Sequence, residues 1–357
     1  MTDMTEIKIA LQGIGNVGRE LIRRVIPKKV YSIVAAGDTS GVLTSNSGFT
    51  ERQLLEIIEL KENGGQLAGL DGSHLFYENM MEMLWMHESN VLVDACNAQT
   101  YDLFDEALSY TNIVTANKTP LADVSYVKYR SLLDKAEKEN KILDFGPTAG
   151  AGLRIPNLIG ELGCDGVDSL TGCLSGTMNY VSQRINEGRP ISTAIKEAMS
   201  PPRNYAEPDP RIDLGGEDFA RKLVIVGRMC GVKMERSMIQ VQDIVPSELA
   251  KLPVEEFVAR IEEMNKQIRE MISNANKNGN ISWFLGSADL INEEYTVGFE
   301  EVPMGDPIGK CRESDNVLKL FPSKWRRPVT LMGPGAGPPE TVTGLLAGIS
   351  RVEKKLK

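Results

Sequence analysis

The sequence predicts an α/β protein in two parts, a parallel-sheet domain followed by an α+β region, and three observations carry that reading. Near the N-terminus a short alternating strand runs into a glycine turn and then a helix. Strands and helices go on alternating as far as Phe145, the order that builds a parallel sheet. After Gly146 the chain turns rich in small residues, and its later apolar runs are spaced like antiparallel strands. At 357 residues it exceeds one typical domain.

In the first part, Ile7, Ile9 and Leu11 alternate in a strand that ends at Gly13-Ile14-Gly15-Asn16-Val17-Gly18, and Arg19 to Ile26 reads as the helix after it. A second strand, Tyr31 to Gly37, delivers Asp38 twenty residues beyond Gly18. Strand, G-x-G-x-x-G, helix and a following acid together make a dinucleotide fingerprint. The glycines let backbone approach a pyrophosphate at a helix N-terminus, and the acid accepts from the adenosine ribose diol. A carboxylate there favours NAD and repels a 2′-phosphate, and no Arg or Lys follows within a dozen residues. NAD is therefore the expected cofactor, with NADP compatible through Arg19. Further strands are expected at 90–95, 112–116 and 141–145, with a helix over 122–140. Residues 39–47 read as a Ser/Thr/Gly-rich loop, and 51–61 as a helix covering the same domain. His74 and His87 fall in what reads as peripheral helix.

In the second part, a helix is expected near 157–163, a strand at 167–174, a helix at 218–230 closed by Gly231 and a long charged helix over 254–276. Strands follow at 281–285, 294–299 and 315–321. The turn Gly333 to Gly337 then leads into an apolar helix at 341–352.

A formal charge of −9 and a pI near 5.1 argue against nucleic acid, which calls for a basic face. No apolar run reaches the roughly 18 residues of a membrane span, and the first residues lack a signal-peptide pattern, so a cytoplasmic protein acting on a small molecule is expected. The five cysteines are scattered, with no C-x-x-C, and read as free thiols.

Chemistry concentrates in Tyr205-Ala206-Glu207-Pro208-Asp209-Pro210-Arg211-Ile212-Asp213-Leu214-Gly215-Gly216-Glu217-Asp218-Phe219-Ala220-Arg221-Lys222. Two prolines stiffen an acidic approach, two glycines allow a tight turn, and Phe219, Leu223 and Val226 set a buried helix face. Asp218 and Lys222 then share one face, a turn apart. A second lysine, Lys118, stands just beyond the carboxyl end of a parallel strand, the edge where ligands bind in such sheets.

The acidic segment resembles the signature of homoserine dehydrogenases, close to G-Y-x-E-P-D-P-R-x-D-L-x-G-x-D-x-A-R-K, with Asn204 in place of the opening glycine. Ala116-Asn117-Lys118-Thr119-Pro120 is similar to the family's A-N-K-x-P, Ser175-Gly176-Thr177-Met178-Asn179-Tyr180 to its G-T-x-N-Y, and Gly333 to Gly337 to its P-G-A-G element. With the glycine fingerprint, these landmarks run in family order from residue 13 to residue 337.

The resemblance implies a nucleotide-binding domain of Rossmann type over 1–145 and 329–357, and a substrate-binding, catalytic and dimerisation domain over 146–328. It implies reversible, NAD(P)-dependent reduction of L-aspartate 4-semialdehyde to L-homoserine by a homodimer. Lys222 would be the proton donor, Asp218 would orient it, and Lys118 would face cofactor and substrate. Glu207 and Asp213 would hold the substrate ammonium, Gly176 and Thr177 would complete the pocket, and Gly335 would lie beside the cofactor. One departure matters: where the family has E-A-x-V-G-A-G-x-P, residues 146–154 read Gly-Pro-Thr-Ala-Gly-Ala-Gly-Leu-Arg. Gly146 replaces a glutamate that helps to hold a monovalent cation, leaving only the carbonyls of Ala149 and Ala151 as candidate ligands.

Two rivals stand beside this reading. An aldehyde dehydrogenase needs a thiolate and a histidine to activate it; Cys173 is the one suitably placed cysteine, and its domain has no histidine. A nucleotide-binding regulatory protein of the same fold with impaired catalysis is the other.

Overall fold

The computed structural model describes residues 6–70, 75–162, 166–203 and 205–357; His74, Gly163, Cys164 and Asn204 lie outside them. The chain forms two compact units, 1–157 with 337–357, and 158–336.

The first unit holds a seven-stranded sheet built from β1 (Ile7–Gln12), β2 (Tyr31–Asp38), β3 (Gly41–Thr44), β4 (Leu75–Tyr77), β5 (Val91–Asp94), β6 (Asn112–Thr115) and β7 (Leu143–Asp144), in the order β4-β3-β2-β1-β5-β6-β7. The pairs β2-β1, β1-β5, β5-β6 and β6-β7 are parallel. β5 and β6 are buried at every position, as strands covered on both faces must be. Strand order reverses beside β1, so the crevice at its carboxyl end is the switch point where such sheets bind ligands.

The region read as a loop after Asp38 holds β3, antiparallel to β2. The Asp38 carboxylate accepts from the Ser40 amide at 2.8 Å, an Asx turn that reverses the chain and lets Val42 and Leu43 be buried. The helix expected over 122–140 is two, Thr119–Ala122 and Tyr126–Lys138, the second capped by Ser125. His87 ends the helix Met80–Met86 and hydrogen-bonds the Tyr77 hydroxyl at 2.6 Å.

The C-terminal helix, Pro338–Leu356, buries Val342, Leu345, Ile349 and Val352 completely in the core of this sheet. At about 1.5–3 kcal/mol for each side chain, those four supply roughly 6–12 kcal/mol of transfer free energy. A Cβ at Gly348 would approach Val114 to 2.6 Å, so only glycine lets the helix lie this close.

The second unit is a six-stranded sheet of β8 (Val167–Cys173), β9 (Ile239–Val241), β10 (Asn280–Asp289), β11 (Glu294–Pro303), β12 (Asp315–Pro322) and β13 (Val329–Pro334), in the order β13-β12-β8-β10-β11-β9. All its pairings are antiparallel except β11-β9. Helices Gly176–Asn186, Glu217–Met229 and Asn265–Lys277 pack against it. The long helix expected over 254–276 is interrupted by a 3-10 turn at Ile261–Met264.

The unit boundaries shift from those expected. Residues 146–157 belong with the first unit, where Arg154 bonds Asp144 and the Gly344 carbonyl. Residues 329–336 belong with the second, because β13 pairs with β12 along its whole length.

Candidate active site

In the first unit each fingerprint glycine has its own reason. Gly13 adopts φ +92°, and a Cβ there would strike the Cys96 amide nitrogen at 2.8 Å, so the turn closes tightly on the loop after β5. A Cβ at Gly18 would lie 2.1 Å from the Gly13 carbonyl oxygen, which seats the helix Asn16–Val25 on the turn. Gly15 faces open space, and no side chain caps the helix there. Exposed Gly15 and Asn16, with half-buried Val17 and buried Ile14, leave a helix N-terminus open to an anion, the cradle a pyrophosphate requires. Arg19 reaches back to the Asn16 carboxamide oxygen at 2.7 Å.

Asp38 is more committed than its position in the sequence suggests. One oxygen accepts from the Ser40 amide and hydroxyl, the other from Lys61 at 2.7 Å and the Leu67 amide at 3.0 Å, and the side chain is 6% exposed. Burial works to raise its pKa, yet these bonds outweigh it and hold the carboxyl below its ordinary value. The roughly four acceptor sites of a carboxylate are thus taken up internally. Lys61, 23 residues beyond Asp38, is brought here by the helix Glu51–Glu62.

Lys118 follows β6 as expected, and its neighbour explains how it is held. The buried Asn117 carboxamide donates to Asp94 at 3.1 Å, the Ala98 carbonyl at 2.7 Å and the Thr100 hydroxyl at 3.2 Å, and accepts from the Thr119 amide. Asp94 is fully buried, and desolvation raises its pKa against the bonds from Cys96, Asn117 and Thr100. Asn117 therefore clamps the loops after β5 and β6 together, and Lys118 sits on that clamp.

A cavity of about 280 Å³ near Asp38 is lined by Gln12, Asn79, Met80, Asp102 and Glu106. A larger one, about 420 Å³, is lined by His87, Asn90, Asn112 and Lys141 and lies at the amino-terminal edge of the sheet, away from the glycine turn.

In the second unit Lys222 is 12% exposed, and its ammonium donates to Asp218 at 2.8 Å and to the Leu174 carbonyl at 2.7 Å. Phe219, Leu223 and Val226 anchor its helix, each nearly or fully buried. Gly216, at φ +65°, begins that helix, and a Cβ there would press within 2.9 Å of Val297. Arg211 fixes the acidic loop, gripping both oxygens of Asp209 and donating to the carbonyls of Ala250 and Leu252.

Asp213 accepts from the Glu207 amide at 2.9 Å. Burial pushes its carboxyl up to about 6; the Glu207 amide and the Thr177 hydroxyl pull it down, while the charges of Glu207 and Asp218 add to the rise. Asp213, with the charges of Glu207 and Asp218 in reach of it, suits a ligand that carries an ammonium.

Gly176 and Thr177 open the helix Gly176–Asn186. A Cβ on Gly176 would approach Ser314 to 2.9 Å, and Thr177 donates to the Tyr205 carbonyl at 2.7 Å, tying the acidic loop to the helix start. Asn179, in the same motif, accepts from the Trp283 indole and donates to the Glu313 carbonyl. A Cβ on Gly335 would come within 2.1 Å of Asn316, a fully buried amide whose side-chain oxygen and nitrogen both lack partners. Nothing local in the sequence marks Asn316, because a lone Asn beside apolar residues looks like any strand position.

Cys173 is fully buried, donates to the Ser175 carbonyl, and has its thiol pushed up to about 12 by desolvation. A nucleophile needs a thiolate, so the aldehyde dehydrogenase reading fails at this residue.

Fold and site describe a dehydrogenase of the NAD(P)-dependent oxidoreductase class. The family model for homoserine dehydrogenase matches residues 155–349, and the chain belongs to that family. A model for glutamate, leucine, phenylalanine and valine dehydrogenases matches residues 1–110. The homoserine dehydrogenase of Schizosaccharomyces pombe is 27% identical over 99% of this chain and 97% of its own length. The bifunctional aspartokinase/homoserine dehydrogenase 2 of Escherichia coli is also 27% identical, with 98% of this chain matching 44% of that protein. Among solved structures, a Candida auris protein of unknown function superposes with a TM-score of 0.85 at 22% identity, over 98% of this chain and 99% of that one. A hyperthermophilic archaeal homoserine dehydrogenase in complex with NADPH gives 0.73 at 21% identity, over 98% of both chains.

Proposed function

We propose that Lys222 is the proton-transfer group in the interconversion of L-aspartate 4-semialdehyde and L-homoserine, and that its tie to Asp218 and Leu174 is the observation that carries this role. A nicotinamide cofactor, when bound, supplies or takes the hydride. In reduction, negative charge develops on the aldehyde oxygen; two of the three ammonium donors of Lys222 are engaged, and the third is directed to that oxygen and then protonates it. In oxidation the same amine receives the hydroxyl proton. Asp218 keeps Lys222 in place, and Lys118 assists the chemistry or helps to bind. Glu207 and Asp213 hold the substrate ammonium, with Gly176 and Thr177 shaping the pocket beside them.

The cofactor sits on Gly13 to Gly18, and Lys118 and Gly335 are assigned cofactor-binding roles by the family resemblance. NAD is preferred and NADP is used less well. Support comes from the acids near the adenosine end, Asp38, Asp102 and Glu106, rather than from a direct Asp38–ribose bond, and the Lys61–Asp38 pair softens the repulsion that Asp38 alone would exert. The homodimer implied by the resemblance and the cytoplasmic setting read from the sequence belong to the same proposal. Among the described residues no helix is long and apolar enough to cross a membrane.

Incubation of the purified protein with L-homoserine and either NAD or NADP tests the reading. Nicotinamide reduction with L- but not D-homoserine, faster with NAD, is expected. Equal rates with the two enantiomers would remove the ammonium-binding role of Glu207 and Asp213.

A further inference from the structure

The loop 146–154 departs from the pattern it resembles at both ends, with Gly146 in place of glutamate and Arg154 in place of proline. The two changes meet in space. A Cβ on Gly146 would lie 1.8 Å from the Asn157 carboxamide oxygen and 3.0 Å from Arg154 Nε, so the volume a glutamate stem needs is already filled. The Arg154 side chain is 13% exposed; it donates to Asp144 at 2.7 Å and to the Gly344 carbonyl at 2.7 Å. Asp144 is fully buried and also receives Arg351 at 3.0 Å.

The candidate ion ligands are already engaged within the loop. The Ala149 carbonyl accepts from the Ile155 amide and the Ala151 carbonyl from the Arg154 amide, both at 3.2 Å. Asn157 Oδ1 is buried without a partner, but one oxygen beside a guanidinium cannot replace the several that a hard cation gathers. Ala151 and Arg154 both hold left-handed backbone, at φ +45° and +51°, conformations that persist for non-glycine residues only where the surroundings fix them.

We propose that Arg154 is a built-in cation: its guanidinium takes the place of the monovalent ion that the family resemblance implies for this loop, and holds residues 146–154 in shape without a metal. A guanidinium is permanently charged, weakly hydrated and able to serve two acceptors in a fixed fork, which is what the Asp144 carboxylate and the Gly344 carbonyl present. Arg154 is a positioning residue. The inference rests on the homoserine dehydrogenase reading only for where an ion would otherwise sit, so its test does not depend on turnover.

The desalted protein is compared in sodium, potassium and choline chloride at equal ionic strength, by melting temperature and by NADH and NADPH dissociation constants. All three quantities should coincide across the salts for the native sequence. Arg154→Gln should bind cofactor more weakly and melt lower in choline, with saturable, partial recovery in sodium or potassium. Ion-specific, saturable stabilisation of the native sequence would overturn the proposal, even if the variant failed to fold. So would an Arg154→Gln protein indistinguishable from native in choline, or one whose loss neither ion recovers, since that describes an ordinary structural arginine.

Discussion

Replacing Lys222 with alanine separates a catalytic lysine from a structural one, because the first role acts on turnover and the second on stability alone. The native ammonium makes an ion pair with Asp218, which is 47% exposed, and a hydrogen bond to the Leu174 carbonyl. A pair so open to solvent is worth about 0.2–1 kcal/mol. The charged hydrogen bond adds about 1.5–3 kcal/mol at most. Loss of Lys222 should therefore lower stability by roughly 2–4 kcal/mol, which the melting curve reads separately from turnover. General acid–base catalysis contributes about 10²–10⁴-fold, or roughly 3–5 kcal/mol of barrier at 1.36 kcal/mol per decade. The assay is steady-state L-homoserine oxidation beside cofactor binding by fluorescence and a melting curve. Turnover should fall at least about a hundredfold with cofactor affinity unchanged, and Lys222→Arg should not restore it, since a guanidinium does not release its proton in the working pH range. Turnover near native in both variants would return Lys222 to the role of a helix-face ion pair and move proton transfer to Lys118.

Other sites give independent expectations. Asp213 must be ionised to hold an ammonium and titrates near 6, so KM for L-homoserine should rise as pH falls through that value, and the rise should be absent in Asp213→Asn, whose KM is high throughout. The same raised pKa means that the folded chain keeps a proton which the unfolded chain releases between about 3.8 and 6; Asp213 therefore costs stability as pH rises through that window, and Asp213→Asn should melt above native at neutral pH but not at pH below it. Asp38→Ser frees Lys61 for a 2′-phosphate, and the kcat/KM ratio of NADP to NAD should rise about tenfold, an effect of about 1.4 kcal/mol; an unchanged ratio would take Asp38 out of cofactor selection. Gly18→Ala drives a Cβ to 2.1 Å from the Gly13 carbonyl oxygen and should weaken cofactor binding and lower the melting temperature together, by the roughly 1–3 kcal/mol of an overpacked contact. Gly15→Ala, with open space around it, should weaken only binding.

Local pattern made much of this readable. Alternation in Ile7 to Leu11, the three glycines and the spacing to Asp38 are all set within a few residues, and the strand, turn and helix follow them. The Asp218–Lys222 pair is one helical turn of a strongly amphipathic segment, and the structure keeps it. What escaped the sequence depends on distant parts of the chain. Lys61 meets Asp38 across 23 residues, Gly344 meets Arg154 across 190, and β13 joins the second sheet by pairing with β12 rather than by any feature of its own composition. β3 was hidden for another reason: its turn chemistry, Asp38 to Ser40, looks like an ordinary polar loop until the Asx bond is seen to reverse the chain. Asn316 and Asn117 show the same limit, since nothing local distinguishes a buried amide with a network from one without.

The central claim is that a hydride leaves C4 of L-homoserine for the nicotinamide while Lys222 takes the hydroxyl proton. L-homoserine carrying deuterium at both C4 positions tests it directly, by mass spectrometry of the nicotinamide product from the native protein and from Lys222→Ala. Deuterium should appear on the reduced nicotinamide with the native protein, one atom per aldehyde formed, and at equal times the variant should transfer at least about a hundredfold less. Absence of deuterium transfer from the native protein to both NAD and NADP, with cofactor bound, would contradict the account.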